Sequence, residues 1–128
     1  MRFAYNTFVE WPLVSIIESP EFIQRARKIM TTEQQDELLL FLARNPTAGD
    51  VIPDSGGVRK LRWLAEGRGK RGGSRVIYYF HDLSMPLVLF TVYAKNEKSD
   101  LSANERKALR VAVDRIVDQF KKQKRGRI

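Results

Sequence analysis

The chain has 128 residues, 43% apolar and 30% charged, enough hydrophobic material for one folded domain with its own core, which excludes a disordered chain. Twenty-three Lys and Arg against fifteen Asp and Glu leave a net charge of +8, which points to a nucleic acid, a ribosome or an acidic protein as partner. With no cysteine there is no disulfide, thiol nucleophile or Cys-ligated zinc, and the longest apolar stretch, Leu38 to Ala43, is too short to cross a bilayer.

The start Met1–Asn6 lacks the apolar run of a secretory signal, so a cytoplasmic protein is expected. Phe3, Tyr5, Phe8 and Trp11 make residues 1–12 more aromatic than a disordered leader. This extension is expected to dock as an extra edge strand, to contact another subunit, or to be dispensable. The domain proper, residues 13–120, opens with a β-branched strand, Leu13 to Glu18. Ser19-Pro20-Glu21 then has the composition of a helix start, and Phe22, Ala26 and Met30 fall on one face of the helix it begins. Thr32-Glu33-Gln34-Gln35 has capping-box spacing and precedes Leu38, Leu39, Phe41 and Leu42; Asn45-Pro46 ends that helix. With almost no loop between them, the two helices form a hairpin.

Thr47 to Gly57 is predicted as a surface loop. Three strands follow, Val58 to Leu64, Arg75 to His81 and Leu87 to Lys95, and their short connections predict an antiparallel meander. Tyr78 and Tyr79 point to opposite faces, with one expected in the core. Ser102-Ala103-Asn104-Glu105 opens a final helix carrying Leu109, Val113, Ile116 or Val117, and Phe120. Residues 121–128, with Lys121, Lys122, Lys124, Arg125 and Arg127, are predicted to be a frayed basic tail.

Charge concentrates in the middle of the meander. Seven Lys or Arg lie between Arg59 and Arg75, against the single acid Glu66. Residues two apart on a strand share a face, so Lys60 and Arg62 project together, and Arg75 opens a strand that can pair beside them. The same alternation also describes the solvated face of a half-buried strand. Gly67-Arg68-Gly69-Lys70-Arg71-Gly72 matches G-x-G-x-x-G, but a β-rich run follows where a dinucleotide site needs a helix, which excludes NAD binding. Its glycines instead permit a tight or flexible connection, with Lys70 and Arg71 free to reach a second phosphate or ribosomal RNA. His81, the only histidine, has the strand parity of Arg75, which fits either an acid–base role or a structural one in the turn beside Asp82. No His, Asp and Glu cluster has metal-ligand spacing.

Three blocks in order, Gly56-Gly57-Val58-Arg59-Lys60-Leu61-Arg62, Gly69 to Phe80, and Tyr93-Ala94-Lys95-Asn96-Glu97-Lys98-Ser99-Asp100-Leu101, carry a family likeness. Over about residues 13–120 the chain resembles the HigB-like branch of the RelE/ParE toxin superfamily. The resemblance implies an α+β fold of order β-α-α-β-β-β-α, a mostly antiparallel twisted sheet with an N-terminal helical hairpin and a C-terminal helix. It implies the toxin of a type II toxin–antitoxin pair, cleaving messenger RNA in the A site of the small ribosomal subunit with no metal or cofactor. A cognate antitoxin, often a HigA-like helix-turn-helix protein, would silence it.

Cleavage through the RNA 2′-hydroxyl needs a base, cations around phosphorus and an acid for the leaving 5′-oxygen, all of which Lys and Arg can help supply. The family's basic positions fall on Lys60, Arg62, Arg75 and Lys95, with Lys60 or Lys95 as proton carrier and Arg62 and Arg75 on the phosphate. Arg68, Lys70, Arg71 and Lys98 are the expected contacts to RNA or ribosome. The chain departs from the RelE branch at Ser99-Asp100-Leu101-Ser102, which lacks the tyrosine found there. Tyr93, two residues before Lys95 on the same strand face, is the expected substitute for stacking a base or moving a proton. Two other functions stay open: a gyrase inhibitor of the ParE kind, against which the clustered cations argue, and a non-catalytic RNA-binding module.

Overall fold

The computed structural model describes residues 13–63 and 73–126. The expectations for residues 1–12 and for Arg68, Lys70 and Arg71 fall outside it. The described chain runs β1 (Ile16–Glu18), α1 (Pro20–Ile29), α2 (Thr32–Arg44), β2 (Asp50–Val51), β3 (Arg59–Trp63), β4 (Ser74–Tyr79), β5 (Leu87–Ala94) and α3 (Ala103–Gly126). The strands form one sheet ordered β1-β5-β4-β3-β2, with β1 parallel to β5 and every other pairing antiparallel. This is the expected α+β order with one strand added.

Local chemistry sets the helix ends. Ser19 Oγ accepts the Phe22 N–H at 3.0 Å and donates to the Phe90 carbonyl at 2.7 Å, so one hydroxyl caps α1 and ties it to β5. The box that opens α2 lies one residue before the predicted one. Thr31 Oγ1 accepts the Gln34 N–H at 3.1 Å, and the Gln34 side chain accepts the Thr31 N–H at 2.9 Å. Thr31 already has the extended backbone of a cap, and Gln35, assigned that role in the sequence, reaches back to the Met30 carbonyl at 3.3 Å. At α3 the predicted pair does close the box, Ser102 N–H to Glu105 at 2.8 Å and Glu105 N–H to Ser102 Oγ at 3.1 Å. The helix runs on to Gly126, through much of the predicted tail. Lys and Gln are good helix formers, no glycine or proline intervenes before 126, and Asp118 pairs with Lys122 at 3.3 Å.

β2 lies inside the predicted loop. Its two residues, both exposed, carry no alternation to read, and only pairing of Asp50 with Lys60 and of Val51 with Arg59 makes them a strand. The turn into β3 uses Gly56 and Gly57 at φ 82° and 101°, where a side chain would be strained. Buried Ser55 Oγ accepts the Val58 N–H at 3.0 Å and donates to the Ile52 carbonyl at 2.7 Å.

Both faces of the sheet are covered. α1 and α2 contribute Phe22, Ala26, Met30, Leu38 and Leu42 to one core with Val76, Tyr78, Leu89 and Val92. α3 contributes Val113, with Leu109, Ile116, Val117 and Phe120, to a second core with Ile77, Tyr79, Tyr93 and Leu101. Each fully buried large apolar side chain contributes on the order of 1.5–3 kcal/mol. All six residues of β4 are therefore buried, and Tyr78 and Tyr79 are both core, one per face, where the sequence pointed to one. The Tyr78 hydroxyl donates to the Pro46 carbonyl and accepts the Gly49 N–H, each at 2.8 Å, fixing the chain that leads into β2. Among the described residues no helix is long and apolar enough to cross a membrane.

Candidate functional site

Strand register builds a cationic patch. Arg62 on β3 lies opposite Arg75 on β4, and Arg75 lies opposite Tyr93 on β5. One rung toward the β3 start stand Lys60, Ile77 and Thr91. On the other side, the Lys95 N–H bonds to the Gly73 carbonyl at 3.2 Å, extending the ladder just past β5. Lys60, Arg62, Arg75 and Tyr93 thus occupy one sheet face, with Lys95 in the turn just past β5. Neighbouring rungs lie ~4.8 Å apart across strands, and same-face residues about 6.6 Å apart along them. The N-terminal end of α3 and the β5–α3 connection close one side, since Lys98 and Asp100 from that connection both reach patch residues.

The two arginines have no acidic partner among the described residues. Arg75 is 9% exposed, and its guanidinium reaches the Ser74 carbonyl at 3.3 Å. Among the described residues no carboxylate pairs with Arg75 or Arg62. A guanidinium so deeply placed loses hydration that only an anion restores in full. Lys95 is exposed at the rim.

Lys60 and Lys98 differ in having partners. Lys60 Nζ lies 3.3 Å from Asp100 Oδ1, and Lys98 Nζ lies 2.6 Å from Glu105 Oε2. A hydrogen bond from the Leu101 N–H, with Lys60 beside it, holds the Asp100 carboxyl below the usual range. The Lys98 hydrogen bond does the same for Glu105, helped by the Ser102 N–H. The connection is also anchored from the other side of the sheet. Arg25 on α1 grips both oxygens of Glu97 at 3.0 and 3.1 Å and donates to the Val92 carbonyl at 2.7 Å.

Tyr93 is 1% exposed, and Lys98 Nζ sits 5.0 Å from its ring centroid, a cation–π contact over the face that the sequence reading offered to a base. Its hydroxyl is buried and has no hydrogen-bond partner among the described residues. Burial raises its pKa, as does the nearby Asp100 charge, while Arg75 acts the other way. A buried hydroxyl without a partner costs free energy that a site oxygen could recover.

Register thus groups Lys60, Arg62, Arg75 and Tyr93; Lys95 follows in the turn after β5, and Lys98 reaches Tyr93 from the connection beyond it. His81 is not among them. It lies beyond the far end of β4 from Arg75, where Nδ1 meets the Tyr79 hydroxyl at 2.9 Å and Nε2 lies 3.6 Å from Asp82, a structural position in the turn. Sequence reasoning missed Asp100 and Glu105, both in the site. The acids Glu97, Asp100 and Glu105 around Lys98 were the available signal, but the partners of Asp100 and Glu105 lie on another strand and seven residues away. Among the described residues no group of three His, Asp or Glu could hold a metal ion. The family model for the RelE toxin of the RelE/RelB toxin–antitoxin system matches residues 21–125, which contain every residue of this patch.

Proposed function

The chain belongs to the RelE toxin family, the toxin half of a toxin–antitoxin pair, and on that premise we propose that it is a ribosome-dependent endoribonuclease of HigB-like type that cuts messenger RNA in the A site and needs no metal. Its antitoxin, on this reading, is a HigA-like helix-turn-helix protein. The observation that carries the proposal is the rung Arg62, Arg75, Tyr93: two guanidinium groups without carboxylate partners among the described residues, beside a buried hydroxyl that lacks its own.

The chemistry follows from those groups. The RNA 2′-oxygen attacks the adjacent phosphorus, forming a 2′,3′-cyclic phosphate and breaking the bond to the 5′-oxygen of the next nucleotide. A base removes the 2′-proton and an acid returns one to the 5′-oxygen. Arg62 and Arg75 take the phosphate oxygens, where fixed cations stabilise the extra negative charge of the transition state. Lys60 and Lys95 flank them as proton carriers, and Tyr93 supplies a hydroxyl next to Arg75. Lys98, with Arg68, Lys70 and Arg71, contributes sequence-independent attraction to RNA backbone.

Primer extension on a translated message tests this. Wild-type protein should cut within codons of the message, and Arg75→Ala should cut at least 10²-fold more slowly while still binding antitoxin. Undiminished cutting by Arg75→Ala overturns the proposal. Salt-sensitive RNA binding with an intact message would instead indicate the non-catalytic module, and inhibition of supercoiling the gyrase inhibitor.

A further inference from the structure

The ion pair between Lys60 and Asp100 joins elements on opposite sides of Arg75. Lys60 belongs to β3, and Asp100 to the connection that follows β5, with β4 between them. The 3.3 Å contact sets the Lys60 ammonium against Asp100, a carboxylate near enough to Tyr93 for its charge to act on that hydroxyl. Without it, the four-carbon stem of Lys60 would leave the ammonium spread over many rotamers at the edge of the patch.

Asp100 itself is held. Its Oδ1 accepts the N–H of Leu101 at 2.8 Å, and Leu101 is 5% exposed in the core under α3. Arg106 Nη1 donates to the Leu101 carbonyl at 2.9 Å, so the backbone on both sides of Leu101 is bonded. The Asp100 side chain is 59% exposed and that of Lys60 29%, and a pair this open contributes little to stability. Its consequence is geometric.

We propose that Asp100 is a positioning residue that holds the Lys60 ammonium above the arginine pair, so that Lys60 meets the scissile phosphate already aimed. The proposal rests on the ribonuclease reading and adds to it a residue that need not touch RNA. Misplacing one group by about an ångström can cost on the order of a hundredfold in rate. Removing an acid from a cationic patch has the reverse effect on binding, since phosphate then meets less opposing charge. Loss of Asp100 should therefore slow the chemistry without weakening the hold on RNA.

The test compares wild type, Asp100→Asn, Asp100→Glu, Lys60→Met and the double variant Lys60→Met with Asp100→Asn on programmed ribosomes. Single-turnover cleavage rates are read beside affinity for a message carrying a 2′-deoxynucleotide at the cleavage position. Antitoxin binding and urea midpoint report the fold. The expected result is an Asp100→Asn rate at least tenfold down with affinity unchanged or tighter, recovery of part of the rate in Asp100→Glu, and a double variant no slower than Lys60→Met. A loss of affinity parallel to the loss of rate, a rate within twofold of wild type, or a double variant slower than Lys60→Met overturns the role. If wild type itself leaves the message intact, the ribonuclease reading has failed and the role of Asp100 falls with it; a cutting wild type with an unimpaired Asp100→Asn refutes Asp100 alone.

Discussion

Arg62 and Arg75 are direct cross-strand partners, two guanidinium groups on one sheet face with no acid of the described residues paired to either. Like charges placed opposite each other destabilise an antiparallel pair by roughly 0.2–1 kcal/mol. A fold that keeps such a pair sacrifices stability at the place where an anion would relieve it. Arg62→Thr, which puts a β-branched residue on the exposed side of β3, should leave urea stability equal or raise it by roughly 0.2–1 kcal/mol. Cleavage by the same variant should fall at least tenfold. A destabilised variant with full cleavage would refute the assignment of this pair to phosphate.

Tyr93→Phe separates stability from activity in a second way. The hydroxyl it deletes is buried with no partner among the described residues, so its removal should be neutral or stabilising by up to about 1 kcal/mol. If that hydroxyl takes part in the reaction, the cleavage rate drops at least tenfold while the thermal midpoint holds or rises. An unchanged rate would leave Tyr93 a core residue whose ring carries Lys98.

Acid should loosen the β5–α3 connection. The Ala94 N–H, then Arg25, hold the Glu97 carboxyl below the usual range, and Leu101 and Lys98 lead the corresponding effects at Asp100 and Glu105. A carboxylate with a depressed folded pKa stabilises the fold fully above its unfolded value, about 4, and loses that contribution as pH falls through the folded one. The gap in urea midpoint between wild type and Glu97→Gln should therefore be widest near pH 6 and close toward pH 3. A gap that stays constant or widens on acidification would contradict this origin.

Gly49→Ala should disturb the floor under Lys60. A Cβ there would lie 3.0 Å from the Lys60 carbonyl oxygen and 3.0 Å from Tyr78 Cε1, a backbone atom and a buried ring. Such overpacking costs typically 1–3 kcal/mol. The loss should appear in the urea midpoint, and a variant as stable as wild type would show that β2 and Tyr78 move aside without cost.

Near neighbours in the chain determined much of this protein. Ser19 with Phe22, and Ser102 with Glu105, cap their helices within four residues, and the two-residue alternation of Lys60 and Arg62 placed them on one face before any partner was known. Local signals gave way where competing groups were equally near: Thr31 rather than Thr32 caps α2, and good helix formers carry α3 past Phe120. What tertiary structure alone decided is whatever depends on groups distant in the chain. Asp50–Val51 becomes a strand only against β3, both Tyr78 and Tyr79 enter the core only because helices cover both faces, and Asp100 meets Lys60 forty residues away. Burial and pairing are properties of converging surfaces, and residue order shows the periodicity of one surface but not which other surface will meet it.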